Sequence, residues 1–164
     1  MVKASRHFVV MALAFALSAS PLSAVTRTRA RTTLDAVAIV DAMNVERAQQ
    51  GLAPLRLNTR LSLAAVDRLR DMFAKHYFDH VSPDGIDPFS WFDKRGYHYT
   101  EAGENLAVGY GTPSGIVDGW MHSAAHRENV LKAHFDEVGI AITSGSPRRP
   151  FSGPTVVALY GSRK

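Results

Sequence analysis

Three side chains in this sequence are of the types that bind metal ions or move protons. His80 lies in Tyr77-Phe78-Asp79-His80-Val81-Ser82-Pro83-Asp84-Gly85, Glu104 in Gly103-Glu104-Asn105-Leu106-Ala107, and His126 in Gly119-Trp120-Met121-His122-Ser123-Ala124-Ala125-His126-Arg127-Glu128-Asn129-Val130-Leu131. Neutral imidazole nitrogen suits zinc or another borderline-soft divalent cation, and a carboxylate oxygen can complete or orient the shell. The same carboxylate could instead serve as a general base. Residue type does not decide the matter, because an isolated histidine is more often a plain surface or core residue and only the fold can bring these three together. His122 and His126 offer a rival pairing, four residues apart, the spacing at which two imidazoles share a helix face. Ser123 opposes that pairing: a serine there caps a helix starting at Ala124 and leaves His122 outside it.

Other chemistries find little support. The chain has no cysteine, so thiol nucleophiles and disulfides are excluded, and it has no Gly-x-Ser-x-Gly elbow for a serine nucleophile. Gly109-Tyr110-Gly111-Thr112-Pro113-Ser114-Gly115 superficially resembles a phosphate-cradling loop, but its third glycine is one position late. It reads as a turn entering a helix. No organic cofactor is implied.

The elements that must position these residues follow from periodicity and caps. Thr32-Thr33-Leu34-Asp35 is a capping-box-like start, after which Ala36, Ile39, Val40 and Met43 recur at helical spacing until Gly51 and Pro54 stop them. Asn58 caps a second helix with Leu61, Ala65, Leu69, Met72 and Phe73 on one face. Pro83-Asp84-Gly85 is a turn, so His80 is expected where a helix has ended and the chain loops. A short amphipathic segment, Pro88 to Lys94, carries Phe89, Trp91 and Phe92 and is stopped by Gly96. Tyr97 to Val108 reads as a strand bearing Glu104, Thr112 to Met121 as a helix, and Ala124 to Leu131 as another, with Ser123 as its cap. Two late strands, Glu137 to Thr143 and Thr155 to Tyr160, flank a loop rich in glycine, proline and arginine. Helices followed by strands with an intervening helical block point to an α+β domain.

With 164 residues, 46% hydrophobic and 21% charged, the composition is that of an ordinary globular protein and the length suits one domain. Lys3 and Arg6, the apolar run Phe8 to Ala19 and the small-residue site Leu22-Ser23-Ala24 predict a signal peptide over residues 1–24, with the mature chain starting at about Val25. A periplasmic or extracellular location is therefore expected, with no membrane-spanning segment after signal removal. Residues 25–35 form a basic tail with Arg27, Arg29 and Arg31. The formal charge of +4 falls to +2 without Lys3 and Arg6, too little to argue for nucleic acid.

The three motifs together resemble the CAP superfamily, the cysteine-rich secretory, antigen-five and pathogenesis-related proteins, in bacterial form. The resemblance covers roughly Ala36 to Ser162, within an expected domain over residues 36–164. It implies a three-layer α-β-α sandwich around a mostly antiparallel sheet, with a central cleft built in this family from two histidines and two acids. By motif the first histidine matches His80 in His-x-Ser, the first glutamate Glu104 in Gly-Glu-Asn, and the second histidine His126 in His-Arg-x-Asn. The second glutamate falls three positions after a tryptophan, and here that place is Ser123. The resemblance thus implies His80 and His126 as metal ligands, Glu104 and Ser123 as cleft residues, Zn2+ or another divalent cation, and a small-molecule, lipid or cell-envelope ligand. A metal-dependent hydrolase with Glu104 as base, and a metal-free interaction domain, are the alternatives. Loss of the second carboxylate weighs against the hydrolase.

Overall fold

The computed structural model describes residues 34–163. The signal peptide expected at 1–24, Thr32 and Thr33, and all but the end of the basic tail lie outside the described residues.

α1 spans Ala36–Gln49, β1 Arg56–Leu57, α2 Thr59–Ala74, α3 Ser90–Lys94, β2 Glu101–Val108, α4 Pro113–Met121, α5 Ala124–Leu131, β3 Glu137–Thr143 and β4 Thr155–Ser162. The caps explain most of the starts. The Asp35 carboxylate accepts from the Ala38 N–H at 2.8 Å, the Asn58 amide oxygen accepts from Arg60 and Leu61, and the Thr112 hydroxyl accepts from Gly115 with Pro113 at the first helical position. Gly51, at φ +68°, lets the chain leave α1 through a left-handed residue.

The sheet order is β1-β3-β4-β2. β4 pairs antiparallel with β3 and with β2, whereas β1 runs parallel to β3 through Arg56 opposite Glu137 and Leu57 opposite Val138. The sheet is therefore mixed, and its parallel member is a two-residue strand absent from the sequence reading. Two strand ends also differ from expectation. β2 starts at Glu101 rather than Tyr97, because the Tyr97 N–H still bonds the Phe92 carbonyl at the end of α3 and the ladder opens only when Thr100 donates to Ser162. β4 runs on to Ser162 for the same reason.

Helices cover both faces of the sheet, giving three layers. On one side α1, α4 and α5 pack Ile39, Met43, Ile116, Trp120 and Val130 on Val138, Ile140, Val156 and Tyr160. On the other, α2 and α3 pack Leu61, Ala65, Met72 and Phe92 on Ala141, Val157 and Leu159. β4 is buried along its whole length, which is why it reads as an apolar run instead of an alternating one. Phe92 belongs to this second core and is fully buried, whereas Trp91 is half-buried and lines an open recess with Asp67, Arg70, Asp71 and Ala74.

α2 approaches the sheet at Gly139, where any Cβ would overlap the backbone of Leu61 and Ser62. The first layer is fastened by Arg47, which is fully buried and has no carboxylate partner among the described residues. Its guanidinium donates to the carbonyls of Ala53, Val130, Lys132 and Phe135 at 2.8 to 2.9 Å. Two of these carbonyls belong to the C-terminal end of α5, where the helix dipole favours a cation.

Candidate functional site

β2 is an edge strand, and the candidate residues gather around it. Successive side chains alternate between layers: Leu106 joins the α2 core and Ala107 the α1 core. Glu104 accordingly faces α2 and Asn105 faces α5. His80 arrives from the loop after α2 and His126 from α5, and their ring centroids are 6.4 Å apart. Asn105 and Asn129 set the position of α5: Asn105 donates to the His126 carbonyl at 3.0 Å, and Asn129 donates to the Glu104 carbonyl at 3.1 Å and to the Asn105 side chain at 2.9 Å. Trp120, 2% exposed, donates its indole N–H to the Leu106 carbonyl, so side chains cover two outward carbonyls of the edge.

The Glu104 side chain is 1% exposed and both of its oxygens are engaged. Oε1 lies 2.8 Å from His80 Nδ1, and Oε2 accepts from Arg68 Nε at 3.0 Å. The carboxylate therefore orients the imidazole through Nδ1 and leaves Nε2 for other partners. The His80 side chain is 51% exposed, so the cluster opens to water there.

The two imidazoles are driven apart in proton affinity. The hydrogen bond to Glu104 raises the His80 pKa above the ordinary histidine value, against some opposition from burial. Burial lowers that of His126, and the neighbouring His80 charge lowers it further. Each shift has its own consequence for stability. The His80 contribution is fully present below the ordinary value of about pH 6.5 and is lost as pH rises through the folded value. Folding disfavours the His126 proton, so its contribution falls away as pH drops below about 6.5 through its lowered value. The unfolding free energy of the parent, measured relative to the double variant His80→Ala with His126→Ala, is expected to peak near pH ~6.5. A difference that changes in one direction only between about pH 4 and pH 9 would contradict this assignment.

Ser123 does not cap α5 with its hydroxyl, contrary to expectation. Its backbone takes the cap conformation at φ −106° and ψ 120°, its N–H is held by the Trp120 carbonyl, and its carbonyl accepts from Arg127 at 2.8 Å. These backbone bonds start the helix, and the Oγ makes no cap bond. His122 closes α4 and its Nδ1 lies 2.8 Å from the Asp118 carbonyl, whereas His126 belongs to α5. The two do not share a helix face.

Sequence reasoning missed Arg68. This residue lies within the apolar stripe of α2 and is fully buried, donating to Glu104, to the Tyr77 hydroxyl and to the carbonyls of Asp79 and His80. An arginine between Ala65, Leu69 and Met72 was the available signal. Among the described residues no three His, Cys, Asp or Glu side chains lie close enough to share a metal ion. A cation here would have two imidazole donors and no protein carboxylate, since Glu104 is held by Arg68 and His80. A separate cavity of about 670 Å³ lies between α1 and α4, lined by Val45, Glu46, Val117, Asp118, Met121 and His122 among others, and it includes none of the three candidate residues.

The family model of the cysteine-rich secretory proteins matches residues 40–158, which contain every element of this site. The chain is a member of that family, CAP. Bacillus subtilis YkwD is 42% identical over 109 residues, covering 66% of this chain and 42% of YkwD. The Bacillus subtilis membrane protein YlbC is 30% identical over 104 residues, covering 63% of this chain and 30% of YlbC. This CAP protein thus matches less than half the length of either curated relative. Among solved structures, an extracellular SCP-domain protein from Bacillus anthracis aligns with TM-score 0.65 and 22% identity over 76% of this chain and 39% of that one. An outer surface protein from Borrelia burgdorferi aligns with TM-score 0.65 and 21% identity over 77% of this chain and 90% of that one. These two establish a shared fold. No helix among the described residues is long and apolar enough to cross a membrane.

Proposed function

We propose that this CAP protein is an exported binding module in which His80 and His126 take a divalent cation, while water and a donor atom of a small-molecule, lipid or envelope-derived ligand fill the remaining positions. The observation that carries this reading is the Glu104 to His80 Nδ1 contact of 2.8 Å, an orienting carboxylate behind an imidazole that is half open to solvent. When bound, the cation would supply a Lewis-acidic contact for an oxygen of the ligand. Phe78 packs on Phe151 at 5.6 Å between centroids, and Val81 is exposed, so the His80 loop also offers apolar surface to a ligand. The expected signal peptide, and the extracellular and outer-surface descriptions of the structural relatives, support export.

A binding role fits the geometry better than hydrolysis does. Catalytic zinc usually has three protein ligands, and a general base needs a free lone pair facing the substrate. Among the described residues only two imidazoles meet here, and the Glu104 carboxylate, 1% exposed and hydrogen-bonded through both oxygens, presents no lone pair to a substrate.

Calorimetric titration of zinc into the metal-stripped secreted protein at about pH 7.5, where the imidazoles are largely unprotonated, tests the reading. The parent is expected to bind one equivalent, and the double variant His80→Ala with His126→Ala to bind at least ~100-fold more weakly. Equal heats for the two proteins would refute the cation site.

A further inference from the structure

We propose that Arg68 is the positioning residue of this site, fixing which nitrogen of His80 carries the proton and where its ring points. The argument rests on what one guanidinium holds. Its Nε donates to Glu104 Oε2 at 3.0 Å, one terminal nitrogen donates to the Tyr77 hydroxyl, and the other donates to the Asp79 carbonyl and to the His80 carbonyl at 2.8 Å. The first contact fixes the acceptor of the imidazole proton, and the last two fix the backbone that carries the imidazole. Both ends of the His80 to Glu104 hydrogen bond are therefore referenced to a single rigid plane.

That plane is itself anchored from behind. The Tyr77 hydroxyl passes its own proton toward Asp71 Oδ2 at 2.6 Å, and burial, with the Asp71 bond, pushes its pKa up to about 12. Lys75 bridges Asp71 at 2.7 Å and Asp84 at 2.6 Å, which ties the same network to the turn following His80. α2 carries Arg68, Asp71 and the approach to Tyr77, and it is seated on β3 through Gly139. The site's geometry thus descends from the α2–sheet contact through one side chain.

A plain structural reading of Arg68, a counter-charge that allows Glu104 to be buried, requires only a positive charge. The positioning reading requires the planar fork. A lysine supplies charge from one nitrogen and cannot span a carboxylate, a hydroxyl and two carbonyls on different sides. Arg68→Lys therefore separates the two, and Arg47→Lys is the matched control, since Arg47 is as deeply buried and its carbonyl bonds lie in the α1 layer.

The readout is the ¹⁵N chemical-shift pattern of the His80 ring in the full secreted protein, taken at alkaline pH with the ring neutral. The parent and Arg47→Lys are expected to show the Nδ1–H form. Arg68→Lys is expected to lose that preference for a mixed population while still unfolding cooperatively. Persistence of the Nδ1–H form in Arg68→Lys, or its equal loss in Arg47→Lys, would overturn the proposal. Should Arg68→Lys fail to fold, Tyr77→Phe removes one fork acceptor and the link to Asp71. A weakened Nδ1–H preference then supports the proposal, and an unchanged ring pattern overturns it.

The cation arm alone rests on the binding reading above. Zinc affinity is expected to drop about tenfold in Arg68→Lys, the scale seen when a ligand's orienting partner is disturbed. If the parent binds no zinc, the cation site falls while the ring pattern still decides the role of Arg68.

Discussion

Gly139→Ala is expected to remove about 3 kcal/mol or more of unfolding free energy, because the added methyl meets main chain instead of a side chain that could swing away. Its Cβ would overlap the Leu61 carbonyl carbon and the Ser62 nitrogen, both within the first turn of α2. Relief requires lifting the whole helix from β3, which opens gaps beneath Leu61, Ala64 and Ala65, all fully buried. Well-packed cores transmit such strain and do not absorb it. Gly145→Ala provides the contrast. That glycine sits at φ +84° with open space around it, so the change there costs only the left-handed backbone penalty of about 1 kcal/mol. Denaturant titration of both variants decides the matter: a Gly139→Ala loss no larger than that of Gly145→Ala would mean that α2 is not seated as described. The site should respond too, since Arg68 and the loop to His80 are carried by the same helix.

Local signals made much of this architecture legible. Asn58 and Thr112 read as helix starts because a side-chain oxygen followed by helical periodicity has a definite partner in the first turn, and both make that bond. The strand bearing Glu104 was legible from a mixture of aromatic and β-branched residues with glycine over Tyr97 to Val108, although its start was misplaced by four residues relative to Glu101. The two-residue β1 was not, because Arg56 and Leu57 are too few to show alternation and are defined only by their pairing with Glu137 and Val138. At the site, His80, Glu104 and His126 could be nominated from motifs, but their meeting depends on β2 being the sheet edge. That is a property of strand order which no local window contains. Arg68 was hidden for the opposite reason: the apolar face around it identified a core helix, and a charge on such a face signals buried acceptors, carbonyls for Arg47 and a carboxylate for Arg68, whose identity appears only in three dimensions. Ser123 shows the limit of cap rules, since backbone bonds to Trp120 and Arg127 can start a helix without help from the hydroxyl.

Glu104→Ala is expected to destabilise the fold by about 3–5 kcal/mol, the usual result of leaving one member of a buried pair behind. Arg68 is fully buried, and Glu104 is the one carboxylate in direct contact with it among the described residues. Its carbonyl and hydroxyl partners would remain but carry no compensating charge, with Asp71 reaching it only through Tyr77. A loss of that size is a large share of the roughly 5–15 kcal/mol that holds a typical domain together. Glu104→Gln keeps the shape and an acceptor oxygen, and its loss should be smaller. The decisive comparison is a double-mutant cycle with Arg68→Met, which removes the stranded charge and restores apolar volume. The double variant should be more stable than Glu104→Ala alone, with a coupling energy on the order of 1–3 kcal/mol, because the second change removes the cost created by the first. If the two losses simply add, water or a rearranged Asp71 must be neutralising Arg68 in the single variant, and the pair is then not the closed unit the distances describe. The cycle also separates fold from site. A double variant that recovers stability but leaves His80 without its Nδ1 acceptor should regain the fold and still bind zinc more weakly than the parent, because packing can replace the ion pair in the core while nothing apolar can orient an imidazole.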